Sequence, residues 1–407
     1  MSQNKKILHI VSGDLSGGAA RGAYWLHKSL INKGVKSLML TNSNSKIDDN
    51  TIHSTSNSKL VTFLKSKLDL VPFLLYPKRQ KTVMSNAFFG VNIYKHPLYK
   101  WADIIHLHWI NDSFINIKQF DYFKKPLVWT IRDMWPLTGG CHYSMDCNNF
   151  KNSCGYCIQL GSNKENDITR LNVKRKLKYF PKNIEIVTIS NWLNHITKES
   201  TVFKGYNIRT INNGIDPQTF VPIDKETAKK ELNISTDKKV ILVGANNPNS
   251  YYKGFNNFLE SLNYLDNKKY YLLFFGDFDN TLINDKGFEY KSLGFQTKSQ
   301  KICLIYSSAD VFVAPSIMEA FGKTIVESMS CETPVVCFDA TGPKDIVIHK
   351  ESGYKAKPFV SEDLANGINW ICNNSNFELG KNSRERVVKY FNINTIASEY
   401  IKLYNEI

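Results

Sequence analysis

Short runs of branched apolar residues alternate with helical stretches along this chain, and the alternation starts afresh near its midpoint. ILHIVSG (7–13) leads through SGGAARGAYWLHKSLINKG (16–34) to VKSLML. Within the middle segment, Ala19, Ala23, Leu26, Leu30 and Ile31 fall at helical spacing, and Gly34 stands where a helix commonly ends. Further strands are predicted at 102–109, 126–131, 184–190 and 208–214. KKVILVGA (238–245) opens a second series, with a helix at 254–265, strands at 269–276 and 309–316, a helix near 323–331 and a strand at 333–338. Strands alternating with helices dictate parallel sheets with right-handed crossovers. At 407 residues the chain is also too long for one ordinary core. The fold class is therefore α/β, with two Rossmann-like, doubly wound domains joined near residues 213–222. Ligands of such sheets sit beyond the carboxyl ends of the strands, so two domains facing each other would enclose a cleft lined by those loops.

MSQNKK runs directly into the first strand, so no secretory leader is read. No window approaches the ~20 apolar residues of a membrane span. Eight cysteines without a leader suit a reducing, cytoplasmic compartment. The net charge of +15 is uneven: residues 59–100 carry eight Lys or Arg against one acid, Asp69, interleaved with LVTFL, LVPFLLY and AFFGV. That mixture suits an anionic membrane surface and a peripheral place on the inner face of the cytoplasmic membrane. A solvated face over ordinary core residues explains it equally well. Nucleic acid is the weaker fit and is not expected as a partner.

SIMEAFGKTIVES (316–328) sets Glu319 and Glu327 eight residues apart. On one continuous helix they would diverge by about 80°. With Glu319 in a loop and a helix beginning near Gly322, both can face one ligand, and the free amides of Phe321 to Thr324 point there too. A helix start binds phosphate, while carboxylates bind hydroxyls. Phosphate and hydroxyls in one pocket describe a nucleotide-sugar; a capped helix with two surface acids is the plainer alternative. VGANNPNSYYKG (243–254) places Lys253–Gly254 after a strand, where a lysine can neutralise a diphosphate or be merely solvated. In SGGAARGA (16–23), Gly17 and Gly18 allow close approach to a phosphate. The spacing departs from GxGxxG, and the next strand ends in Thr41-Asn42-Ser43 with no acid for a ribose, which weighs against a nicotinamide-dependent dehydrogenase.

Together these segments resemble the retaining GT-B glycosyltransferases of family 4. The resemblance runs along nearly the whole chain, through the Gly-Gly loop, VTISNWL (187–193), NNGIDPQTF (212–220), Lys253–Gly254, ADVFVAPS and ESMSCETPVV. DIIHLHW and IRDMWPLTGGCHYSMDC are similar to the polysaccharide and lipopolysaccharide branch. The resemblance implies an acceptor-binding domain over 1–215, a nucleotide-sugar-binding domain over 216–388, and a last helix, about 389–407, returning to the first domain. It implies transfer of a hexose from a UDP- or GDP-linked donor to a lipid-linked or growing surface glycan. Lys253 would bind the diphosphate, Glu319 the sugar hydroxyls and Glu327 the ribose. Phe321, Gly322, Lys323 and Thr324 would offer amides to sugar and phosphate. Gly294 and Phe295 would frame the base, and Gly18 would approach the diphosphate from the other domain. No catalytic metal is expected, because lysine and helix amides supply the positive field.

Two departures from the family stand out. Many relatives carry Arg beside the glycine of the first strand of the second domain, where this chain has Gly244-Ala245-Asn246. Many carry His before Asp after the strand at 127–131, where this chain has Arg132-Asp133. An arginine stays charged and is no neutral base, so Arg132 would bind sugar or an acidic acceptor. His106 and His108 share a strand face and read as hydrogen-bonded structural residues, with one reaching the cleft as the alternative. Cys141, Cys147, Cys154 and Cys157 form C-x5-C-x6-C-x2-C, with His142 as a substitute ligand. The cluster suits a structural tetrahedral zinc, reduced thiols packing a loop, or disulfide and redox chemistry. The other four cysteines read as packing residues. Two further classes stay open: a sugar-nucleotide hydrolase or epimerase on the same architecture, and a non-catalytic glycan or nucleic-acid binder.

Overall fold

The computed structural model describes residues 5–55, 59–244, 250–278, 281–374 and 376–407. The chain divides into two compact units, Met1–Gly214 with Ile393–Ile407, and Ile215–Asn392.

The first unit is built on seven parallel strands: β1 (Lys6–Ile10), β2 (Lys36–Thr41), β3 (Ile52–Ser54), β4 (Ile104–Leu107), β5 (Leu127–Ile131), β6 (Glu185–Thr188) and β7 (Ile208–Thr210), ordered β3-β2-β1-β4-β5-β6-β7. The inner strands β4 and β5 are buried at every residue, which is why IIHL and LVWTI show no polar alternation. The order reverses direction between β1 and β4, so the loops after these two strands diverge and leave a crevice. The last helix, Ile393–Glu406, packs beside the helix Gly18–Asn32 and joins a core of Ile7, Leu26, Leu30, Ile104 and Val128 through Ile396, Tyr400 and Leu403. Burying each such Ile or Leu side chain contributes ~1.5–3 kcal/mol. Gly214, the last residue of the first long stretch of this unit, lies so close to the returning chain that a Cβ there would come within 2.7 Å of the Ile393 backbone.

The first part of the basic, aromatic segment forms a helix, Lys59–Leu74, not assigned from the sequence. Two residues pin it. Asp69 is buried and accepts the amides of Asn86 at 2.9 Å, Ala87 at 3.0 Å and Phe88 at 2.7 Å. Phe73 packs with Met84, Cys157 and Leu160. Val61, Phe63, Leu64, Leu68, Leu70, Val71 and Leu74 are exposed, and Leu75 just beyond is 78% exposed. No helix of the described residues is long and apolar enough to cross a membrane.

The second unit carries six parallel strands: β8 (Lys239–Gly244), β9 (Tyr270–Phe275), β10 (Glu289–Ser292), β11 (Val311–Ala314), β12 (Val335–Phe338) and β13 (Gly353–Ala356), ordered β10-β9-β8-β11-β12-β13. The order reverses between β8 and β11. Residues 389–392 stay with this unit: the Phe391 carbonyl accepts the Ile215 amide at 2.9 Å and its ring packs against Phe321.

Candidate functional site

The loops leaving β8 and β11 meet at the reversal point of the second sheet. The Tyr252 carbonyl accepts the amides of Ile317 at 2.9 Å and Met318 at 3.2 Å. Gly254 has a φ of +66°, and a Cβ there would lie 1.8 Å from the Pro315 carbonyl oxygen. This contact brings the Lys253 loop onto the Glu319 loop, and Lys253 Nζ pairs with Glu319 Oε2. Burial works against the Lys253 charge, but the neighbouring carboxylate outweighs it and holds the lysine pKa above its ordinary value. A third loop, after β12, closes on the same place. The Gly342 amide donates to the Glu319 carbonyl at 2.9 Å, and the Glu319 amide to Thr341 Oγ1 at 3.3 Å.

Gly322, at φ +116°, turns the chain into the helix Lys323–Ser330. Glu327 is buried on the second turn of that helix. Lys323 Nζ stands 3.4 Å from its Oε1, and the Tyr306 hydroxyl donates to its Oε2 at 3.3 Å. Lys253, Glu319, Gly322, Lys323, Thr324 and Glu327 thus occupy one connected set of loops and one helix start. The Phe321 ring is turned into the core, so only its backbone faces the loop. Gly294 and Phe295 follow β10, two strands from β8. The Gly294 carbonyl accepts the Gly276 amide at 2.8 Å, and Phe295 is 57% exposed. Of Gly244-Ala245-Asn246, the last two lie outside the described residues.

In the first unit Gly18 opens the helix Gly18–Asn32, with open space where a Cβ would stand. Arg132, at the end of β5, is buried against that helix. A Cβ on Gly22 would come within 2.7 Å of its Nη1, so the third glycine of SGGAARGA makes room for a guanidinium. Arg132 Nη1 donates to Asn213 Oδ1 at 2.7 Å, and burial lowers its pKa to about 10, leaving it charged. Its Nε donates to His108 Nδ1 at 3.4 Å. His108 Nε2 then carries the ring proton and donates to His9 Nδ1 at 2.9 Å. His106 is held by the Tyr404 hydroxyl at 2.6 Å and Thr130 Oγ1 at 2.7 Å. Burial pushes the pKa of all three histidines well down, so they are neutral at pH 7.

The sequence did not point to what surrounds Asp133. Its Oδ2 receives His142 Nδ1 at 2.6 Å and Trp109 Nε1 at 2.8 Å. His142 Nε2 contacts Ser85 Oγ at 3.0 Å. His142 is therefore engaged by Asp133 and Ser85, which corrects its reading as a substitute metal ligand. Ser85 and Trp109 line a pocket of about 320 Å³ whose other wall includes Leu70, Phe73 and Leu74 of the exposed helix, with Arg79 and Asp112. Cys141, Cys147, Cys154 and Cys157 are brought around one small cavity nearby in the chain.

Residues 224–391 match the family described as Glycosyl transferases group 1, so the second unit carries a domain of that family. Among curated proteins, the N,N'-diacetylbacillosaminyl-diphospho-undecaprenol alpha-1,3-N-acetylgalactosaminyltransferase of Campylobacter jejuni is 29% identical over 205 residues, covering 48% of this chain and 53% of that protein. The capsular polysaccharide biosynthesis glycosyltransferase CapM of Staphylococcus aureus is 26% identical over 239 residues, covering 54% and 61%. The chain spans a little over half the length of these curated relatives. Sucrose-phosphate synthase from Thermosynechococcus elongatus superposes with a TM-score of 0.71 over 99% of both chains at 20% identity. Anabaena HepE in complex with UDP and glucose does so with 0.67 over 99% of this chain and 100% of that one, at 16%. The fold is that of the GT-B glycosyltransferases, α/β with two Rossmann-like domains.

Proposed function

We propose that this chain is a retaining glycosyltransferase of the family 4 type, which moves a hexose from a UDP- or GDP-linked donor to a lipid-linked or growing surface glycan. The observation that carries this reading is the Lys253–Glu319 pair beside the Gly322 helix start, at the strand-order reversal of a sheet within the group 1 domain. Lys253 and the amides of Gly322 to Thr324 supply positive field for the diphosphate as it leaves. Glu319 accepts hydrogen bonds from sugar hydroxyls. Glu327, held by Tyr306 and Lys323, accepts those of the ribose. Gly294 and Phe295 border the base. The bond from the anomeric carbon to the phosphate oxygen breaks as the bond to the acceptor oxygen forms on the same face, and the acceptor proton passes to the departing phosphate. No catalytic metal enters this scheme.

The first unit is the acceptor domain in this reading. Its 320 Å³ pocket sets an apolar wall against Trp109 and Ser85, which are held from behind by Asp133 and His142, a combination suited to a glycan carried on a lipid. Arg132 fixes the neighbouring loop through Asn213 and His108 and offers charge to an acidic acceptor. The exposed face of the helix Lys59–Leu74, whose sole acid is buried, fits an anionic bilayer and would set the protein on the membrane that holds the acceptor. C. jejuni and S. aureus relatives named for undecaprenol-linked and capsular glycans support this choice.

The test is acceptor-dependent release of nucleoside diphosphate from a panel of nucleotide-sugars with lipid-linked glycan extracts, with the anomeric configuration of the product read by NMR. Turnover that needs an acceptor and keeps the donor's configuration supports transfer. Equal turnover without acceptor identifies a hydrolase or epimerase instead.

A further inference from the structure

Two clusters of metal-ligating side chains stand outside the proposed donor site. Among the described residues, the one triplet of potential ligand atoms within 4.8 Å of one another is His9, His106 and His108. It is not a cation site. Both nitrogens of His106 are taken by Tyr404 and Thr130, both of His108 by His9 and Arg132, and the Arg132 guanidinium stands 3.3 Å away.

The second cluster is different in kind. Cys141, Cys147, Cys154 and Cys157 line a single cavity of about 20 Å³. That volume admits one water-sized body, hence one ion and no larger group. All four thiols are free. The Cys157 amide donates to Asp167 Oδ2 at 3.0 Å and the Gly155 amide to Thr169 Oγ1 at 3.1 Å, which fixes the backbone of the Cys154–Cys157 turn. Ser153, Cys154, Gly155 and Tyr156 form a consecutive left-handed run, with φ of 65°, 57°, 86° and 46°. Such backbone is costly unless its surroundings hold it. The turn is fastened from outside by Arg170 Nη2, which donates to the Cys154 carbonyl at 2.8 Å.

We propose that these four cysteines bind one thiophilic divalent cation, zinc, as a tetrathiolate. Coordination at ~2.3 Å per sulfur brings the sulfurs within ~4 Å of one another. No three of them stand within 4.8 Å of one another here, so binding draws the sulfurs together and releases the thiol protons. The site closes the loop that carries His142, and Cys141 of that loop is bridged to Met84, which lines the first-unit pocket.

Elemental analysis of the full chain, purified without a metal-affinity step, tests this. One zinc per chain should survive desalting. It should be lost in Cys147→Ser and Cys154→Ser and retained in Cys372→Ala. Cobalt substitution of the native chain should give thiolate charge-transfer bands with tetrahedral ligand-field bands, a readout independent of whether a variant folds. Release of zinc by a chelator should expose four thiols to a titrating reagent and lower the melting temperature. Absence of stoichiometric zinc with all four thiols reactive from the start overturns the proposal. So does iron with acid-labile sulfide, or a disulfide found by mass spectrometry.

Discussion

Lys253 and Glu319 are ion-paired across the two loops that flank the strand-order reversal of the second sheet, from positions 66 residues apart. The lysine is thus charged and held in place before any phosphate arrives. Lys253→Ala should lower kcat/KM about 10²–10³-fold, the scale of losing a group that meets developing charge. Glu319→Gln should cost less in diphosphate binding than in sugar-dependent turnover. Combined, the two substitutions should cost less than the sum of the single effects, because each alone leaves a partner stranded. Steady-state kinetics on the four proteins of this cycle check it.

Tyr306→Phe removes one hydrogen bond to the buried Glu327 carboxylate. A bond to a charged group is worth about 1.5–3 kcal/mol, so nucleotide affinity should fall by at least several-fold through misplacement of Glu327. Calorimetric titration with nucleoside diphosphate reads this directly. An unchanged Kd would remove Glu327 from the ribose contact.

Gly254→Ala sets a left-handed φ against a side chain and drives a Cβ into the Pro315 carbonyl oxygen. The conformation alone costs about 1–2 kcal/mol, and the overlap adds to it. The expected result is a lower melting temperature together with loss of diphosphate binding, since the two loops must part.

Four histidines in the first unit are buried neutral. His27 shows the sign of their effect. Its nitrogens meet Ser37 Oγ at 2.7 Å and Thr51 Oγ1 at 2.8 Å, and burial lowers its pKa to about 4. The unfolded chain takes up a proton near pH 6.5 and the folded chain only near pH 4. Its contribution is therefore whole above pH 6.5 and falls away as pH drops to 4, by roughly 3 kcal/mol. His9, His106 and His108 are shifted in the same direction, so unfolding free energy should fall by more than one proton's slope across this window. Denaturant unfolding between pH 7 and 4 measures that slope, and His27→Gln should reduce it.

Trp109→Ala removes a wall of the first-unit pocket and one donor to Asp133. It should raise the KM for a lipid-linked acceptor and leave the Kd for nucleoside diphosphate unchanged. An altered diphosphate Kd with a normal acceptor KM would show that the pocket is not the acceptor's.

The inner strands were legible because parallel strands buried on both faces read as unbroken apolar runs, as in IIHL, LVWTI, VFVA and VVCF. Three of the four edge strands, β3, β10 and β13, were not, since IHS, EYKS and GYKA are short and polar on at least one side. The helix Lys59–Leu74 was hidden for another reason: most of its apolar residues face no core, Phe73 being the buried exception, and Pro72 sits inside it. Glu319, Gly322 and Glu327 were visible as a local motif. The surroundings of Arg132 were not, because Gly22, His108 and Asn213 reach it from distant positions. His142 could have been found only as a histidine nine residues past Asp133, a spacing that carries no periodicity of its own.

The most direct measurement is thermal unfolding of the purified chain with UDP, GDP, ADP and their sugar conjugates, beside a Glu327→Ala variant. A ligand at 100 times its Kd adds about 2.7 kcal/mol to native stability, a readily seen shift. One nucleotide family should raise the melting temperature, and the variant should lose the response while remaining folded. A folded native chain whose melting temperature no nucleoside diphosphate or nucleotide-sugar moves would show that the second unit is not a nucleotide-sugar site, and the glycosyltransferase reading would fall with it.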